Sequence, residues 1–225
     1  LRLFSHVNSG IGRLITLEGI DGSGKSTALQ HIASRLRALR PERRLLLSAE
    51  PTEGPVGRII RGSLRTAGGA GCSGGAPAAE RMNELFLFLA DHAQHLAGTV
   101  IPALEEGALV LCDRYADSTA AYQGVTLRSI LPEPVAWIQG ILLPWSRPPD
   151  LTILFVIDPQ AALLRIEGRR GREKFERLEF LQSVDENFRS MADFEPDRFV
   201  LVDAALPAEQ VADDATSAIL RRLDL

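Results

Sequence analysis

Short apolar runs alternate with segments of helical periodicity along the chain. The runs are continuous and do not alternate with polar residues, which is typical of parallel strands covered on both faces. They comprise Leu14–Leu17, Arg44–Ser48, Ala108–Cys112, Leu151–Ile157 and Phe199–Val202. Apolar residues recur at helical spacing from Leu29 to Leu39, from Phe180 to Ala192 and after Pro207. This alternation predicts an α/β fold in which about five parallel strands form one sheet with helices on both faces.

A glycine-rich loop lies between the first predicted strand and the first predicted helix. From Gly19 onwards it has the form G-x-x-x-x-G-K-[ST]. In this P-loop motif, backbone N–H groups bind nucleotide phosphates, a lysine such as Lys25 reaches the outer phosphates, and a hydroxyl such as that of Ser26 binds Mg²⁺. The alternative is a glycine-rich turn with an incidental lysine. The predicted ATP-binding residues are Gly19, Asp21, Gly22, Ser23, Gly24, Lys25, Ser26 and Thr27.

A second candidate site follows the strand at Ala108–Cys112, which ends in Asp113 and Arg114. P-loop enzymes place a carboxylate directed at Mg²⁺ at the carboxyl end of such a strand. The adjacent Arg114 could bind a phosphate through two hydrogen bonds. The alternative is a surface Asp–Arg turn. Beside a P-loop, the pattern predicts Ser26 and Asp113 as metal ligands and Lys25 and Arg114 as catalytic cations.

Composition narrows the function classes. The chain has 225 residues, with 45% hydrophobic and 24% charged residues, as in a globular domain. Its net charge of -4 argues against nonspecific nucleic-acid binding. No apolar run is long enough to span a membrane. Cys72 and Cys112 lack metal-ligand spacing, so free thiols in a reducing compartment are expected.

The sequence also predicts how the chain is divided. Residues 1–12 have no signal-peptide pattern and are expected to form a loose extension, whereas residues 13–225 are expected to form a single domain. The predicted location is the cytoplasm. Residues 67–78 are rich in glycine and are predicted to be a mobile surface loop, with a lid role as the alternative.

Three segments of the middle of the chain resemble thymidylate kinase. They are Phe86–His95, Val100–Gly107 and Cys112–Gly124, the last containing Asp-Arg-Tyr and then Ala-Tyr-Gln-Gly. The similarity runs from about Arg13 to Leu201 and is strongest to the bacterial branch. It implies the P-loop kinase fold, a homodimer, and phosphoryl transfer from MgATP to dTMP, giving ADP and dTDP. No nucleic-acid or membrane partner is implied.

The resemblance also implies a nucleoside pocket. Phe88 occupies the position of the aromatic residue that stacks on thymine, and His92 stands where the family usually has an arginine that contacts the base edge. An imidazole could still donate to thymine O4, although a half-buried structural histidine is the alternative. Ala49 stands where the bacterial family often has an arginine, which leaves the role of the neighbouring Glu50 open. The predicted substrate-binding residues are Asp21, Glu50, Phe88, His92, Arg114, Ser118, Tyr122 and Gln123.

A basic segment at residues 165–177 resembles the lid of the family. Gly168 and Gly171 interrupt a run in which basic residues outnumber acidic ones. By resemblance, a lid arginine neutralises the transferring phosphoryl group; Arg169, Arg170 and Arg172 are predicted as catalytic, and the sequence leaves open which of them, or Arg165, acts. A solvated charged turn is the alternative.

Two rival functions stay open at this point. The first is a kinase for another nucleoside monophosphate or for a deoxynucleoside, in which case Glu50 could serve as the base for a hydroxyl acceptor. The second is a nucleotide-dependent regulatory module. A dTMP acceptor needs no general base, because its phosphate oxygens are already ionised at neutral pH.

Overall fold

A computed structural model of the chain describes residues 12–66, 77–167 and 178–225. Residues 1–11 of the predicted extension, residues 67–76 of the predicted mobile loop and residues 168–177 of the basic lid lie outside these ranges. The division into an extension at 1–12 and one domain at 13–225 therefore stays a prediction.

The described residues form one sheet of five parallel strands, as predicted. The strands are β1 (Arg13–Glu18), β2 (Leu45–Ala49), β3 (Leu109–Asp113), β4 (Leu151–Val156) and β5 (Phe199–Asp203). Their order is β2-β3-β1-β4-β5, so β1 lies at the centre between β3 and β4. The predicted strand positions agree with the observed ones to within one residue at every end.

Helices surround this sheet. They are α1 (Lys25–Leu39), α2 (Pro55–Thr66), α3 (Ala78–His95), α4 (Ile101–Glu105), α5 (Ala116–Thr126), α6 (Pro134–Leu142), α7 (Pro159–Glu167), α8 (Leu178–Phe194) and α9 (Ala208–Arg222). A π-helical segment, Leu96–Val100, joins α3 to α4. The helical patterns after the P-loop, from Phe180 and after Pro207 correspond to α1, α8 and α9, which confirms the predicted α/β class.

Burial differs between the central and edge strands. The β1, β3 and β4 strands are almost fully buried, as continuous apolar runs predict. The edge strands are less covered: every residue of β2 is half-buried, and Leu201 in β5 is 51% exposed. The expectation of coverage on both faces therefore holds only for the three central strands.

The polar candidates meet where the strands end. The Arg114 N–H donates to Leu17 O at 3.0 Å, and the Glu50 N–H donates to Asp113 O at 3.1 Å. The residues that follow β3 and β2 are thus held against the ends of β1 and β3 at the carboxyl edge of the sheet, where ligands bind in open α/β folds. Within the described ranges, no helix combines the length and the apolar character that crossing a membrane requires.

Candidate active site

The loop after β1 has the backbone conformation of a phosphate-binding loop. Gly19, Gly22 and Gly24 have φ angles of 138°, 82° and 88°, which residues with a side chain rarely adopt. A Cβ atom at Gly22 would also lie 2.3 Å from the carbonyl oxygen of Ala162. The loop leads directly into α1, and Gly24 has no side chain to cap that helix. The first N–H groups of α1 therefore point to the place where a phosphate binds.

Lys25 lies across this loop. Its Nζ donates to Gly19 O at 2.9 Å, to Ile20 O at 2.8 Å and to Ser23 Oγ at 3.2 Å. Burial, followed by repulsion from Arg114, lowers the pKa of Lys25 to about 8. A nucleotide phosphate would replace neutral acceptors by an anion and so favour the charged amine.

The predicted metal ligands are in contact. Ser26 Oγ donates to Asp113 Oδ2 at 2.6 Å across the end of β3. The other carboxylate oxygen, Asp113 Oδ1, is buried and has no hydrogen-bond partner among the residues that the structure describes. A hydroxyl oxygen and an unpartnered carboxylate oxygen are suited to Mg²⁺, which takes its remaining ligands from water and substrate phosphates. The residues present therefore fit the metal.

Arg114 joins the loop to a cavity beside it. It has a φ of 67°, and its guanidinium donates to Asp21 Oδ1, to Ser118 Oγ at 3.1 Å and to the Tyr122 hydroxyl at 3.2 Å. The Nη1 group also lies 3.3 Å from Gly19 O. Two segments that are far apart in the chain, the P-loop and the start of α5, thus hold one guanidinium at the mouth of the P-loop.

Arg114 and Asp21 stabilise each other's charge. Burial opposes ionisation of Arg114, but Tyr122 and Asp21 raise its pKa above the ordinary value. Burial also acts against the charge of Asp21, whereas Arg114 and Lys25 lower the pKa of that carboxyl. Both groups are therefore ionised at neutral pH, and an incoming phosphate would compete with Asp21 for Arg114.

A cavity lies beside Arg114, with an empty volume of about 530 Å³ that includes space open to solvent. Seven of the eight predicted substrate-binding residues line it, and His92 is the exception. The lining consists of Asp21, Glu50, Pro51, Leu64, Phe88, Arg114, Tyr115, Ser118, Thr119, Tyr122 and Gln123. Four of these residues, Pro51, Leu64, Tyr115 and Thr119, were not predicted, because an apolar wall or a small hydroxyl has no distinctive sequence pattern.

Tyr122 and Gln123 form a polar wall on α5. The Tyr122 ring packs against the rings of Phe180 and Phe188, and burial raises the pKa of its hydroxyl. Gln123 Nε2 donates to Glu84 Oε1 at 2.9 Å. Its Oε1 atom is buried and has no hydrogen-bond partner within the described ranges. Gln123 is fully buried and lines the cavity, so its amide lies next to the space that a bound molecule would occupy.

His92 lies behind the cavity lining. Its side chain is 1% exposed, with Nδ1 2.8 Å from Glu50 Oε1 and Nε2 2.8 Å from Ser146 Oγ. The ring also makes edge contacts with Tyr115 and Trp145. Phe88 and His92 are one helical turn apart on α3, but only Phe88 faces the cavity.

Glu50 is held by a second histidine that the sequence analysis did not single out. His95 Nδ1 lies 2.7 Å from Glu50 Oε1, the same oxygen that His92 contacts, and His95 Nε2 contacts Ser48 Oγ. Burial opposes ionisation, but His92 and then His95 lower the pKa of Glu50 to about 2. The signal was the spacing of three residues between His92 and His95, which places both on one side of α3.

Glu18, the last residue of β1, was also missed. Its carboxyl group is fully buried and accepts hydrogen bonds from the Tyr115 N–H, at 2.8 Å, and from Ser118 Oγ. The available signal was a charged residue at the end of an apolar strand, directly before Gly19. Charged residues are rarely fully buried without partners.

The lid arginines Arg169, Arg170 and Arg172 lie outside the described residues. Arg165, at the end of α7, is described: its Nη1 donates to Ala204 O at 3.0 Å. That contact ties α7 to the end of β5. The catalytic role assigned to the lid arginines therefore stays a prediction.

Comparison with known proteins identifies the family. The sequence model of thymidylate kinase matches residues 17–215. A probable thymidylate kinase of Methanosarcina acetivorans is 44% identical over 213 residues, which cover 93% of this chain and 96% of that protein. One from Halobacterium salinarum is 41% identical over 206 residues, or 92% and 94% of the two chains.

These relatives are archaeal, so they give no support to the narrower prediction of a bacterial branch. Together with the P-loop, the paired Ser26 and Asp113, and the cavity beside Arg114, they agree on one assignment. The chain belongs to the thymidylate kinase family of phosphotransferases.

Proposed function

We propose that the residues around Arg114 carry the reaction of this family, in which ATP phosphorylates dTMP to dTDP. The position of the Arg114 guanidinium is the observation that carries the proposal. It contacts Gly19 of the P-loop on one side and Ser118 and Tyr122 of the cavity on the other. An acceptor phosphate held there lies beside the loop that binds the donor phosphates.

The acceptor dTMP is assigned to the cavity. Its 5′-phosphate takes two hydrogen bonds from Arg114 and replaces the single one to Asp21, since a dianion attracts a guanidinium more strongly than a carboxylate does. Asp21, held near Arg114, then faces the acceptor's sugar and the metal. The sugar packs on the Tyr122 ring, which disfavours a 2′-hydroxyl group.

The base is assigned to the inner part of the cavity, between Phe88 and Gln123. Thymine stacks on Phe88, and its N3–H group donates to the unpartnered Oε1 of Gln123. Cytosine has an acceptor at N3 and leaves that oxygen unsatisfied. A direct contact between His92 and thymine O4 would require His92 to leave Glu50 or Ser146, so we assign His92 an indirect role through Glu50.

The donor side consists of the P-loop, from Gly19 to Thr27, and the residues suited to hold Mg²⁺. Ser26 and Asp113 would bind the metal, and the Lys25 amine would leave the loop carbonyls for the outer phosphates. Bound Mg²⁺ supplies positive charge that neutralises the phosphate oxygens of ATP.

Transfer needs no general base in this site. An acceptor phosphate oxygen, already ionised, attacks the γ-phosphorus of ATP, the bond to the bridging oxygen breaks, and ADP leaves with that electron pair. Lys25 and Arg114 align the two substrates and neutralise charge as it moves. A lid arginine, one of Arg169, Arg170 and Arg172, completes the positive charge around the transferring group.

We further propose a homodimer and a cytoplasmic location. Ile59 on α2 and Phe86 on α3 are 55% and 52% exposed, and these two helices pack together. A second copy would cover both residues, and light scattering tests this. The reducing compartment is supported by Cys112, a buried free thiol.

ADP formation from MgATP tests the function across dTMP, dUMP, dCMP, dGMP, AMP and thymidine. A preference for dTMP supports the assignment, and a preference for another monophosphate would keep the phosphate site while rejecting the base site. Turnover with thymidine instead of dTMP would reject the role of Arg114 and favour Glu50 as a base. Slow hydrolysis without stimulation by any acceptor would favour a regulatory module.

A further inference from the structure

Glu18 is a buried carboxyl group that the reaction above does not use. It ends the central strand β1 and directly precedes Gly19 of the P-loop. Its side chain nevertheless points away from the loop glycines and towards the start of α5, where both of its oxygens have partners. Burying a carboxyl group is costly, so its contacts define what the group can do.

The first contact restrains the backbone at Arg114. A φ of 67° is unfavourable for a residue with a side chain, and it persists only where neighbouring groups impose it. Three hydrogen bonds do so: Arg114 N–H to Leu17 O, Cys112 Sγ to Arg114 O, and Tyr115 N–H to Glu18 Oε1. Of these three hydrogen bonds, the one to Glu18 acts on Tyr115, the residue after the arginine, and the other two act on Arg114 itself.

The second contact restrains the Arg114 side chain. Ser118 Oγ accepts a hydrogen bond from Arg114 Nη1 at 3.1 Å and contacts Glu18 Oε2 on its other side. Since a guanidinium only donates, the Ser118 hydroxyl hydrogen is free to point towards Glu18. The carboxyl group therefore fixes Ser118, and Ser118 fixes one arm of the guanidinium.

We propose that Glu18 is a positioning residue for Arg114, holding its turn through the Tyr115 N–H and its guanidinium through Ser118. The inference rests on the proposed role of Arg114 in binding the acceptor's 5′-phosphate. Glu18 itself does not line the cavity and touches no substrate in this assignment. Its effect must therefore depend on Arg114 and on the phosphate.

The electrostatic surroundings determine which variant is conservative. Burial, followed by repulsion from Asp117, raises the pKa of Glu18 to about 8, while Ser118, Arg114 and Lys25 lower it. The carboxylate accepts from both the Tyr115 N–H and the Ser118 hydroxyl, whereas a protonated Glu18 still accepts from the Tyr115 N–H and reverses the second bond, donating to Ser118 Oγ. Glutamine makes the same two contacts, with an amide oxygen and an amide N–H group. Glu18→Gln is thus the matched variant, and Glu18→Ala removes both contacts.

The test measures dTMP and thymidine binding by calorimetry for Glu18→Ala, Glu18→Gln, Arg114→Ala and the double variant Glu18→Ala/Arg114→Ala. We expect Glu18→Ala to weaken dTMP binding about tenfold, and thymidine binding, which involves no phosphate, to change less than about twofold. Glu18→Gln should restore dTMP binding to within about threefold of the unmodified protein. In the Arg114→Ala background, Glu18→Ala should have no further effect.

Asp150→Asn is the control. Asp150 Oδ2 accepts a hydrogen bond from the Leu14 N–H at 2.8 Å, near the other end of the same strand, so it matches Glu18 in kind but lies far from Arg114. It should leave the binding of both ligands unchanged. If Glu18→Ala does not fold, Glu18→Met keeps the volume, removes the two contacts and enters the same cycle.

Three results would overturn the inference. Equal weakening of dTMP and thymidine would show a general structural role, and a full effect in the Arg114→Ala background would show that Glu18 does not act through Arg114. Failure of Glu18→Gln to restore binding would show that these two hydrogen bonds are not what matters. The proposed function fails separately: if Arg114→Ala alone leaves dTMP binding unchanged, the phosphate assignment is wrong and the role of Glu18 falls with it.

Discussion

Glu18 and Glu50 are buried glutamates beside the same cavity, and the pKa values of their carboxyl groups are shifted in opposite directions. Burial raises the pKa of both. At Glu18 a neighbouring carboxylate, Asp117, adds to that effect and the pKa is about 8. At Glu50 two imidazoles, His92 and His95, outweigh it and the pKa is about 2. Burial alone favours the neutral form of both groups, and the two histidines beside Glu50 are what make that carboxyl group charged at neutral pH.

The difference suits the two positions. Glu50 lines the cavity and brings a negative charge to it, balanced by the histidines on α3. Glu18 lies under Arg114, where a neutral carboxyl group holds the turn without competing strongly with a phosphate for the guanidinium. Asp21 is the charged partner of Arg114, and it is also the residue that a bound phosphate would displace.

The largest effect is expected from removing Arg114, the cation that we propose binds the acceptor's 5′-phosphate. Arg114→Ala should lower kcat/KM for dTMP by about three orders of magnitude, because an isolated charge-stabilising arginine contributes that much to phosphoryl transfer. Steady-state kinetics with a circular-dichroism check of the fold measure this. Arg35→Ala, at an arginine that pairs with Glu209 and Asp213 on the surface, is the control. Wild-type-like turnover of Arg114→Ala would reject the assignment.

The next largest effect is expected from Glu50, the charged one of the two buried glutamates. Glu50→Gln removes the carboxylate that His92 and His95 both contact, and it should destabilise the protein by about 1.5–3 kcal/mol at pH 7, the range for a hydrogen bond to a charged group. Because the pKa of Glu50 falls from 4.5 to about 2 on folding, its contribution is present above pH 4.5 and is lost as pH falls towards 2. The stability difference between wild type and Glu50→Gln should therefore shrink over that interval in urea titrations. A difference that does not change with pH would show that Glu50 is not ionised.

Glu18→Gln should show the opposite pH dependence. The pKa of Glu18 rises from 4.5 to about 8 on folding, so the folded protein binds more protons than the unfolded chain between these values. Wild-type stability then falls, relative to Glu18→Gln, as pH increases from 4.5 to 8. Urea titrations from pH 5 to 9 measure the difference. A constant difference, or one that changes in favour of the wild type, would contradict a neutral Glu18.

The sequence predicted the fold and most of the site because both depend on local patterns. Central strands give continuous apolar runs, and the P-loop and Asp113-Arg114 are short segments whose neighbours on the sheet follow from the strand order. The burial of His92 was not predictable in this way. It depends on Ser146, which is 54 residues away, and on Glu50 from another strand end. Glu18 was missed because its partners, Tyr115 just before α5 and Ser118 in its first turn, lie about 100 residues further along the chain.

The smallest effect is expected from His92. Family resemblance implies that this residue contacts the base, but its side chain lies behind the cavity lining. His92→Gln keeps an N–H donor for Glu50 and should change the preference for dTMP over dCMP by less than about threefold, since the side chain is outside the cavity lining. Gln123→Leu, which removes the unpartnered acceptor, should reduce that preference much more. The ratio of kcat/KM values for the two nucleotides measures both variants under one set of conditions. If His92→Gln abolishes the preference and Gln123→Leu leaves it intact, then His92 contacts the base directly, and the cavity must open towards α3 when dTMP binds.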